Sequence, residues 1–372
     1  MRVVIACAGT GGHINPGIAI ANIIKEKEKD SSILFIGTKE GLENKLVTNA
    51  GYEIKHIRTG KIIRSLTLKN IKAMYNAYRG ISDAKKILKE FKPDVIIGTG
   101  GYICVPVMFA GKALKVPYSL HESNSYPGLS VKILSKNAAL VMLGFEDAIS
   151  RLKRKDNVVV TGTPAKFDKN RIRALDKERC KEELGLKDID RKIVLVTCGS
   201  QGAKKINETV IEMLKSYQDE DIYYILVTGD KTYEEIRNLK ESAEKEIGKK
   251  LDKYIRLEKF VYDMDKMYKI ADLCITRSGA MTINELLISE RKSILIPLPS
   301  AAENHQFYNA KVLENIGVGK IIEQKDIDGN KLHDALKGMI ENEYRVNNNI
   351  SKVIIDNVDE KIYNVVKNTL KK

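Results

Sequence analysis

Short apolar runs alternate along the whole chain with segments whose apolar residues recur at helical spacing. In the first half the strand-like runs fall at 2–7, 33–36, 53–57, 95–97, 118–120, 139–143 and 158–160, with helical patterns at 17–27, 68–91, 105–115 and 129–135. The second half repeats the plan. Strands are expected at 193–197, 223–228, 255–260, 273–276, 293–296 and 320–322, and helices at 203–217, 233–246, 264–270, 281–289, 305–316 and 331–342. Such alternation predicts an α/β fold of parallel sheets covered by helices on both faces. Two blocks in tandem predict two Rossmann-like, doubly wound domains facing across a cleft. The expected boundaries are 1–161, 162–349 and a tail, 350–372, that packs back on the first domain. The break falls at Thr161-Gly162-Thr163-Pro164, after which the chain is polar and charged up to Arg191.

Three glycine-rich turns follow predicted strands: Ala8-Gly9-Thr10-Gly11-Gly12-His13, Gly98-Thr99-Gly100-Gly101-Tyr102 and Cys198-Gly199-Ser200-Gln201-Gly202-Ala203. A glycine turn that opens a helix gathers free backbone N–H groups around a hollow suited to phosphate or an oxyanion. The first turn adds a histidine, the side chain whose ordinary pKa suits proton transfer near neutrality. The dinucleotide fingerprint fails here. It needs a third glycine at position 14, where the chain has Ile14, and the second strand ends in Ile36-Gly37-Thr38 without the ribose-binding acid. No phosphate-loop motif of the G-x-x-x-x-G-K-[ST] type is present. The acidic triplets Asp188–Asp190 and Asp263–Asp265 are read as a loop and a helix cap rather than metal sites.

At 372 residues the chain is long for one core, and 43% apolar content excludes a disordered polypeptide. No run approaches the ~18 apolar residues of a membrane span, so neither secretion nor a spanning segment is expected. Five cysteines without a CxxC pair (Cys7, Cys104, Cys180, Cys198, Cys274) read as reduced, mostly buried thiols of a cytoplasmic protein. A net charge of +14 favours an anionic partner: nucleic acid, an anionic membrane or a phosphorylated substrate. The lack of Trp and of aromatic-rich basic strands argues against RNA reading. Between Arg58 and Lys92 there are ten Lys or Arg and two acids, around a helical face of Ile71, Met74, Tyr75, Tyr78 and Ile81. That segment is either a solvated helix with its apolar side on the core or a contact for acidic headgroups.

Further polar clusters stand at strand or loop ends: His121-Glu122-Ser123-Asn124-Ser125-Tyr126-Pro127-Gly128, Arg277-Ser278-Gly279-Ala280-Met281-Thr282-Ile283-Asn284-Glu285, and Ala301-Ala302-Glu303-Asn304-His305-Gln306. With the three glycine turns, their order and spacing from residue 2 to roughly 325 resemble the MurG-type glycosyltransferases of bacterial cell-wall synthesis. The resemblance implies a GT-B arrangement and an inverting transfer of N-acetylglucosamine from UDP-GlcNAc to the C4 hydroxyl of lipid I, giving lipid II. It implies no cofactor and no active-site metal. It also implies a peripheral enzyme on the cytoplasmic face of the cell membrane, touching the anionic inner leaflet, with no nucleic acid partner.

The same resemblance assigns residues. Thr10, Gly11, Gly12 and Asn124 match donor-contacting positions. His13 is the general-base candidate, unless it only caps the helix or hydrogen-bonds the turn. Glu122 either assists the acceptor or holds the loop backbone. Ser200 and Gln201, between Gly199 and Gly202, match the turn that receives the UDP phosphates. Glu285 matches the acid on the ribose hydroxyls, with a surface acid as its alternative. Ala280, Met281 and Thr282 lie on the same donor side. Val261 matches a backbone contact to uracil, or is simply core. Asn304, His305 and Gln306 match the sugar-reading segment. Gly100, Gly101 and Tyr102 are acceptor-side. Lys166 stands where the family often has arginine, so its grip on phosphate lacks the bidentate fork. The run Tyr102-Ile103-Cys104-Val105-Pro106 is bulkier than the family pattern, and Ala8 replaces a common glycine. The bulk at 103–105 keeps open a glycosyltransferase acting on diacylglycerol or another polyprenyl carrier. A UDP-GlcNAc 2-epimerase on the same two-domain plan is a second enzymatic alternative. A sugar-nucleotide binding module without turnover and a nucleic-acid binder are the non-enzymatic ones.

Overall fold

The structure is a computed structural model that describes residues 1–60, 68–165, 167–199, 202–341, 350–351 and 353–371, without the side chains of 68–74 and 77. The chain forms two compact units, Met1–Lys166 with Ile355–Lys372, and Phe167–Ile354.

The first unit holds a seven-stranded sheet: β1 (Arg2–Cys7), β2 (Ser32–Gly37), β3 (Glu53–His56), β4 (Val95–Gly100), β5 (Tyr118–Glu122), β6 (Leu140–Leu143) and β7 (Val158–Val160). Their spatial order is β3-β2-β1-β4-β5-β6-β7, with parallel pairing throughout. Period-two alternation splits the core between two faces. Val4, Ala6, Leu34 and Ile96 pack with Ala84 and Leu88 of the helix Leu68–Phe91 and with Val107 and Met108 of the helix Cys104–Ala113. Val3, Ile5, Phe35, Val95 and Ile97 pack with Ile14, Ile20 and Ile24 of the helix Gly11–Lys27. Ile362, Val365 and Val366 of the final helix, Val358–Thr369, close the same face. Tyr363 and Lys367 of that helix donate to Glu28 at 2.8 and 3.1 Å.

The second unit holds β8 (Lys192–Thr197), β9 (Ile222–Val227), β10 (Ile255–Glu258), β11 (Leu273–Thr276), β12 (Lys292–Leu295) and β13 (Gly319–Ile321), in the order β10-β9-β8-β11-β12-β13 and again parallel. Val194, Val196, Leu226 and Ile275 pack with Ile206 and Val210 of the helix Lys204–Ser216 and with Leu332 and Leu336 of the helix Gly329–Glu341.

Several elements depart from the sequence reading. The first helix begins at Gly11, not at 17, because His13 and Ile14 N–H both donate to the Thr10 carbonyl (3.0 and 3.1 Å). Pro16 therefore sits inside the helix, where it supplies no N–H to the preceding turn. The polar, charged stretch after Pro164 carries no helix in the sequence reading. It forms the short helices Lys169–Ala174 and Lys177–Glu183, each started by an aspartate that accepts a backbone N–H: Asp168 from Arg171 at 2.7 Å, Asp176 from Arg179 at 2.8 Å. Asp263 stands at the N-cap of the helix Met264–Ile270 but makes no capping bond. Asp265 instead pairs with Arg171 at 2.6 Å. On the basic helix, Tyr75 and Tyr78 face solvent, 58% and 74% exposed, while Ile81 packs on the core. Ile71 and Met74 fall outside the described side chains. All five cysteines are free and buried.

Candidate active site

In each sheet the strand order reverses direction at one place, between β1 and β4 in the first unit and between β8 and β11 in the second. Parallel sheets bind ligands beyond the carboxyl ends of strands at such a switch point. The first and second glycine turns leave β1 and β4. The third turn and the Ser278-Gly279-Ala280 turn leave β8 and β11. The sequence order of the motifs thus becomes adjacency within each sheet.

In the first unit the two turns are fitted to each other. Gly100 has φ +118°, and a Cβ there would fall 2.4 Å from His13 Cδ2. Gly101 has φ +86°, and its Cβ would meet the Ala8 carbonyl oxygen at 2.4 Å. Only glycine permits both the backbone conformation and the closeness. His13 lies half-buried in the first turn of its helix, with Nδ1 3.1 Å from the Ala8 carbonyl. That carbonyl can only accept, so Nδ1 carries the proton and Nε2 is left as the basic nitrogen. Burial lowers the pKa of the imidazole, partly offset by the Ala8 carbonyl, and so keeps the ring neutral near pH 7. Thr99 Oγ1 donates to the His13 carbonyl at 2.7 Å and fixes the helix start on β4. Thr10 is exposed at the N-cap, its side chain unused for capping.

Glu122, at the end of β5, is buried and spends its oxygens on its own loop. Oε1 accepts from Asn124 N (3.0 Å) and Asn124 Nδ2 (2.8 Å), and Oε2 from Gly128 N (2.7 Å). This arrangement orients Asn124, which stays half-buried. His121 is fully buried, its pKa pushed down to about 4 by burial against a weak pull from the Gly162 carbonyl. Tyr102 is half-buried beside a cleft of about 750 Å³ that Thr38, Arg58 and Lys86 also line.

In the second unit Gly199 (φ +75°) and Gly202 (φ +69°) shape the third turn, and Gly202 N–H donates back to the Gly199 carbonyl at 3.0 Å. A Cβ at Gly202 would overlap the Thr228 carbonyl. Ser200, Gln201 and, at the end of the first unit, Lys166 lie outside the described residues. Ala280 opens the helix Ala280–Ser289 and is buried, whereas Met281, Thr282 and Glu285 are half-buried. Tyr268, fully buried, donates its hydroxyl to Glu285 Oε2 at 3.0 Å. Val261 is half-buried in the loop after β10, next to the exposed Phe260 and Tyr262. Glu303 and Asn304 both adopt left-handed backbone (φ +54° and +53°) before the helix His305–Asn315. Two consecutive non-glycine residues of this kind store strain of the sort that clusters at ligand-holding segments. Gln306 Oε1 accepts from Leu298 N at 2.9 Å, which ties that segment to the loop after β12.

Three residues matter here that the sequence reading gave no role: Glu43, Tyr268 and Arg277. Arg277 spans the Ile296 and Pro297 carbonyls (3.0 and 3.2 Å), fastening the β11 turn to the β12 loop. It stood inside a motif already singled out. Tyr268 reads as an ordinary apolar helix position, and Glu43 as a surface acid.

Residues 3–143 match the glycosyltransferase family 28 N-terminal domain, and residues 193–367 the family 28 C-terminal domain. The chain is 38% identical over 370 residues, 99% of each chain, to a protein of Thermoanaerobacter sp. (strain X514). That relative is a UDP-N-acetylglucosamine--N-acetylmuramyl-(pentapeptide) pyrophosphoryl-undecaprenol N-acetylglucosamine transferase. A relative of the same name from Acetivibrio thermocellus is 37% identical, with 100% of this chain and 99% of the relative covered. Among solved structures, Acinetobacter baumannii MurG superposes with a TM-score of 0.76 at 25% identity, covering 98% of this chain and 99% of that one. The UDP-GlcNAc 2-epimerase of Neisseria meningitidis shares the fold, with a TM-score of 0.63 at 14% identity over the full length of both chains. With two family domains in order and full-length relatives of one name, this chain belongs to glycosyltransferase family 28, among its MurG-type N-acetylglucosamine transferases.

Proposed function

We propose that the chain transfers N-acetylglucosamine from UDP-GlcNAc to the muramoyl C4 hydroxyl of lipid I, giving lipid II, in one inverting displacement. His13 Nε2 takes the hydroxyl proton, the oxygen bonds the anomeric carbon, and the carbon–oxygen bond to the UDP diphosphate breaks. The single observation that carries this reading is the His13 geometry. A neutral imidazole is held with Nδ1–H on Ala8 and room made for it by Gly100, on a glycine turn at the switch point. Proton removal of this kind contributes roughly 10²–10⁴-fold.

The third glycine turn and the N-terminus of the helix Lys204–Ser216 receive the diphosphate, with Ser200 and Gln201 as side-chain donors and Lys166 as an added cation. The positive end of a helix, worth ~0.3–2 kcal/mol toward an anion, stabilises the departing UDP. Ala280, Met281 and Thr282 border the donor, Glu285 accepts from the ribose hydroxyls, Val261 offers its backbone to uracil, and Asn304 and Gln306 read the sugar. Thr10, Gly11, Gly12 and Asn124 are further donor contacts. Gly100, Gly101 and Tyr102 shape the acceptor side. Glu122 acts by holding Asn124 rather than by moving a proton.

The enzyme works as a peripheral protein on the cytoplasmic leaflet. Among the described residues no helix is long and apolar enough to cross a membrane. The exposed Tyr75 and Tyr78, with the exposed Arg79, Lys86 and Lys89 on the same helix, supply aromatic and cationic contacts for an anionic surface.

The test is incubation of the purified protein with UDP-GlcNAc and a short-chain lipid I analogue, read by mass. A disaccharide product is expected. Conversion of UDP-GlcNAc without acceptor would replace this reading with the epimerase one.

A further inference from the structure

We infer that Glu43 is a positioning residue of the transfer reaction: its buried carboxylate pins the first glycine turn to the end of β2 and so sets where His13 stands. The inference rests on the reading of His13 as the base.

Glu43 opens the short helix Glu43–Asn49 and is completely shielded from solvent. Its Oε2 accepts the Gly9 N–H at 3.2 Å. Its Oε1 accepts the Thr38 N–H at 2.9 Å and the Thr38 hydroxyl at 2.6 Å. Two glycines make room for it. A Cβ at Gly37 would fall 2.7 Å from Glu43 Cγ, and one at Gly41 would fall 2.1–2.2 Å from the carboxylate. Burial pushes the Glu43 pKa up, but these hydrogen bonds outweigh it and hold the group ionised. An ionised, fully buried carboxylate is unusual; among the described residues no cation pairs with Glu43, and two backbone N–H groups and one hydroxyl hold it instead.

The position of Gly9 gives this bond its consequence. Gly9 stands between Ala8, whose carbonyl receives Nδ1–H of His13, and Thr10, whose carbonyl receives the His13 N–H. Gly9 has φ +101°, with nothing within 4 Å of a would-be Cβ among the described residues, and its N–H is held by the Glu43 carboxylate. Tyr102 of the second turn feels the same charge: burial and Glu43 raise its pKa, while Thr38 opposes them. One carboxylate thus reaches the base and the acceptor-side tyrosine together. Glutamine cannot replace it, because its amide nitrogen would face an N–H donor at Gly9 or at Thr38.

The experiment is a kinetic cycle with Glu43→Gln, His13→Ala and the double variant, following kcat and the KM for UDP-GlcNAc. Glu43→Gln should lower kcat ~10- to 100-fold, the scale of small misplacements of catalytic groups, with KM within about twofold. The double variant should be no slower than His13→Ala alone. Wild-type turnover in Glu43→Gln overturns the inference, as does a multiplicative loss in the double variant, and both leave the base reading standing. Near-normal turnover in His13→Ala instead overturns the base reading itself. Should Glu43→Gln fail to fold, Thr38→Val removes the hydroxyl donor to the same oxygen at constant shape. It should lower kcat severalfold with KM unchanged, and wild-type kcat there overturns the inference.

Discussion

Replacing Tyr268 by phenylalanine removes one hydroxyl and changes no packing volume. The lost bond is the 3.0 Å donation to Glu285 Oε2, between the helices Met264–Ile270 and Ala280–Ser289. Hydrogen bonds to charged groups contribute ~1.5–3 kcal/mol, and a half-exposed acceptor regains part of that from water. About 1 kcal/mol remains as the cost. In stability it lowers the midpoint by roughly 2–4 °C for a unit of this size. In function the same ~1 kcal/mol, spent on letting Glu285 wander from the ribose, weakens donor binding about fivefold. The assay is inhibition by UDP and by 2′-deoxy-UDP for wild type, Tyr268→Phe and Glu285→Gln. Wild type should prefer UDP, Glu285→Gln should lose the preference, and Tyr268→Phe should lose most of it with kcat unchanged. Preference lost in Glu285→Gln but intact in Tyr268→Phe would refute the positioning argument. Preference intact in both would refute the ribose assignment.

The base reading has a pH signature. Burial depresses the His13 pKa below 6.5, and the neutral ring is the active form. Activity should therefore persist below pH 6.5 and fall only as the depressed value is crossed, with His13→Ala losing both this acid limb and ~10²–10⁴-fold in kcat. An acid limb that survives the substitution counts against His13. The depressed histidine also contributes stability present above pH 6.5 and lost as pH falls toward its folded value. A second acid-sensitive element lies in the other unit. Burial raises the Glu244 pKa, but bonds from Lys240 (2.7 Å), Leu251 N (2.9 Å) and Lys250 (3.0 Å) outweigh it and bring it to about 2. Urea midpoints should fall as pH drops from the ordinary 4.5 toward 2, and Glu244→Gln should flatten that slope. Identical slopes for the two proteins would refute this.

Much of the fold was legible because the code it uses is local. Buried parallel strands such as 3–7 and 193–197 are continuous apolar runs, and the glycine turns that end them are short contiguous strings. Boundaries were less legible where two local rules disagreed. Pro16 normally marks a helix start, and the pattern placed the start there, yet the Thr10 carbonyl captures the His13 and Ile14 amides and carries the helix back to Gly11. That shift of six residues, about 1.7 turns, puts His13 on the helix rather than in the turn before it. The two helices after Pro164 were hidden because each is too short to show a period. Their capping aspartates were the available signal.

Glu43 marks the other limit. In the sequence, Gly41-Leu42-Glu43-Asn44 looks like a solvated loop, since a charged residue between polar neighbours is most often exposed. Its partners are Thr38, five residues back, and Gly9, thirty-four back, and only the pairing of β1 with β2 brings them together. The Tyr268–Glu285 bond has the same origin. From residue order alone came the alternation of elements, the glycine turns and the candidates for the chemically active side chains. The strand order, the pairing of turns at each switch point, the burial of Glu43 and the tautomer of His13 were decided in three dimensions, because each depends on groups that sequence separates and packing joins.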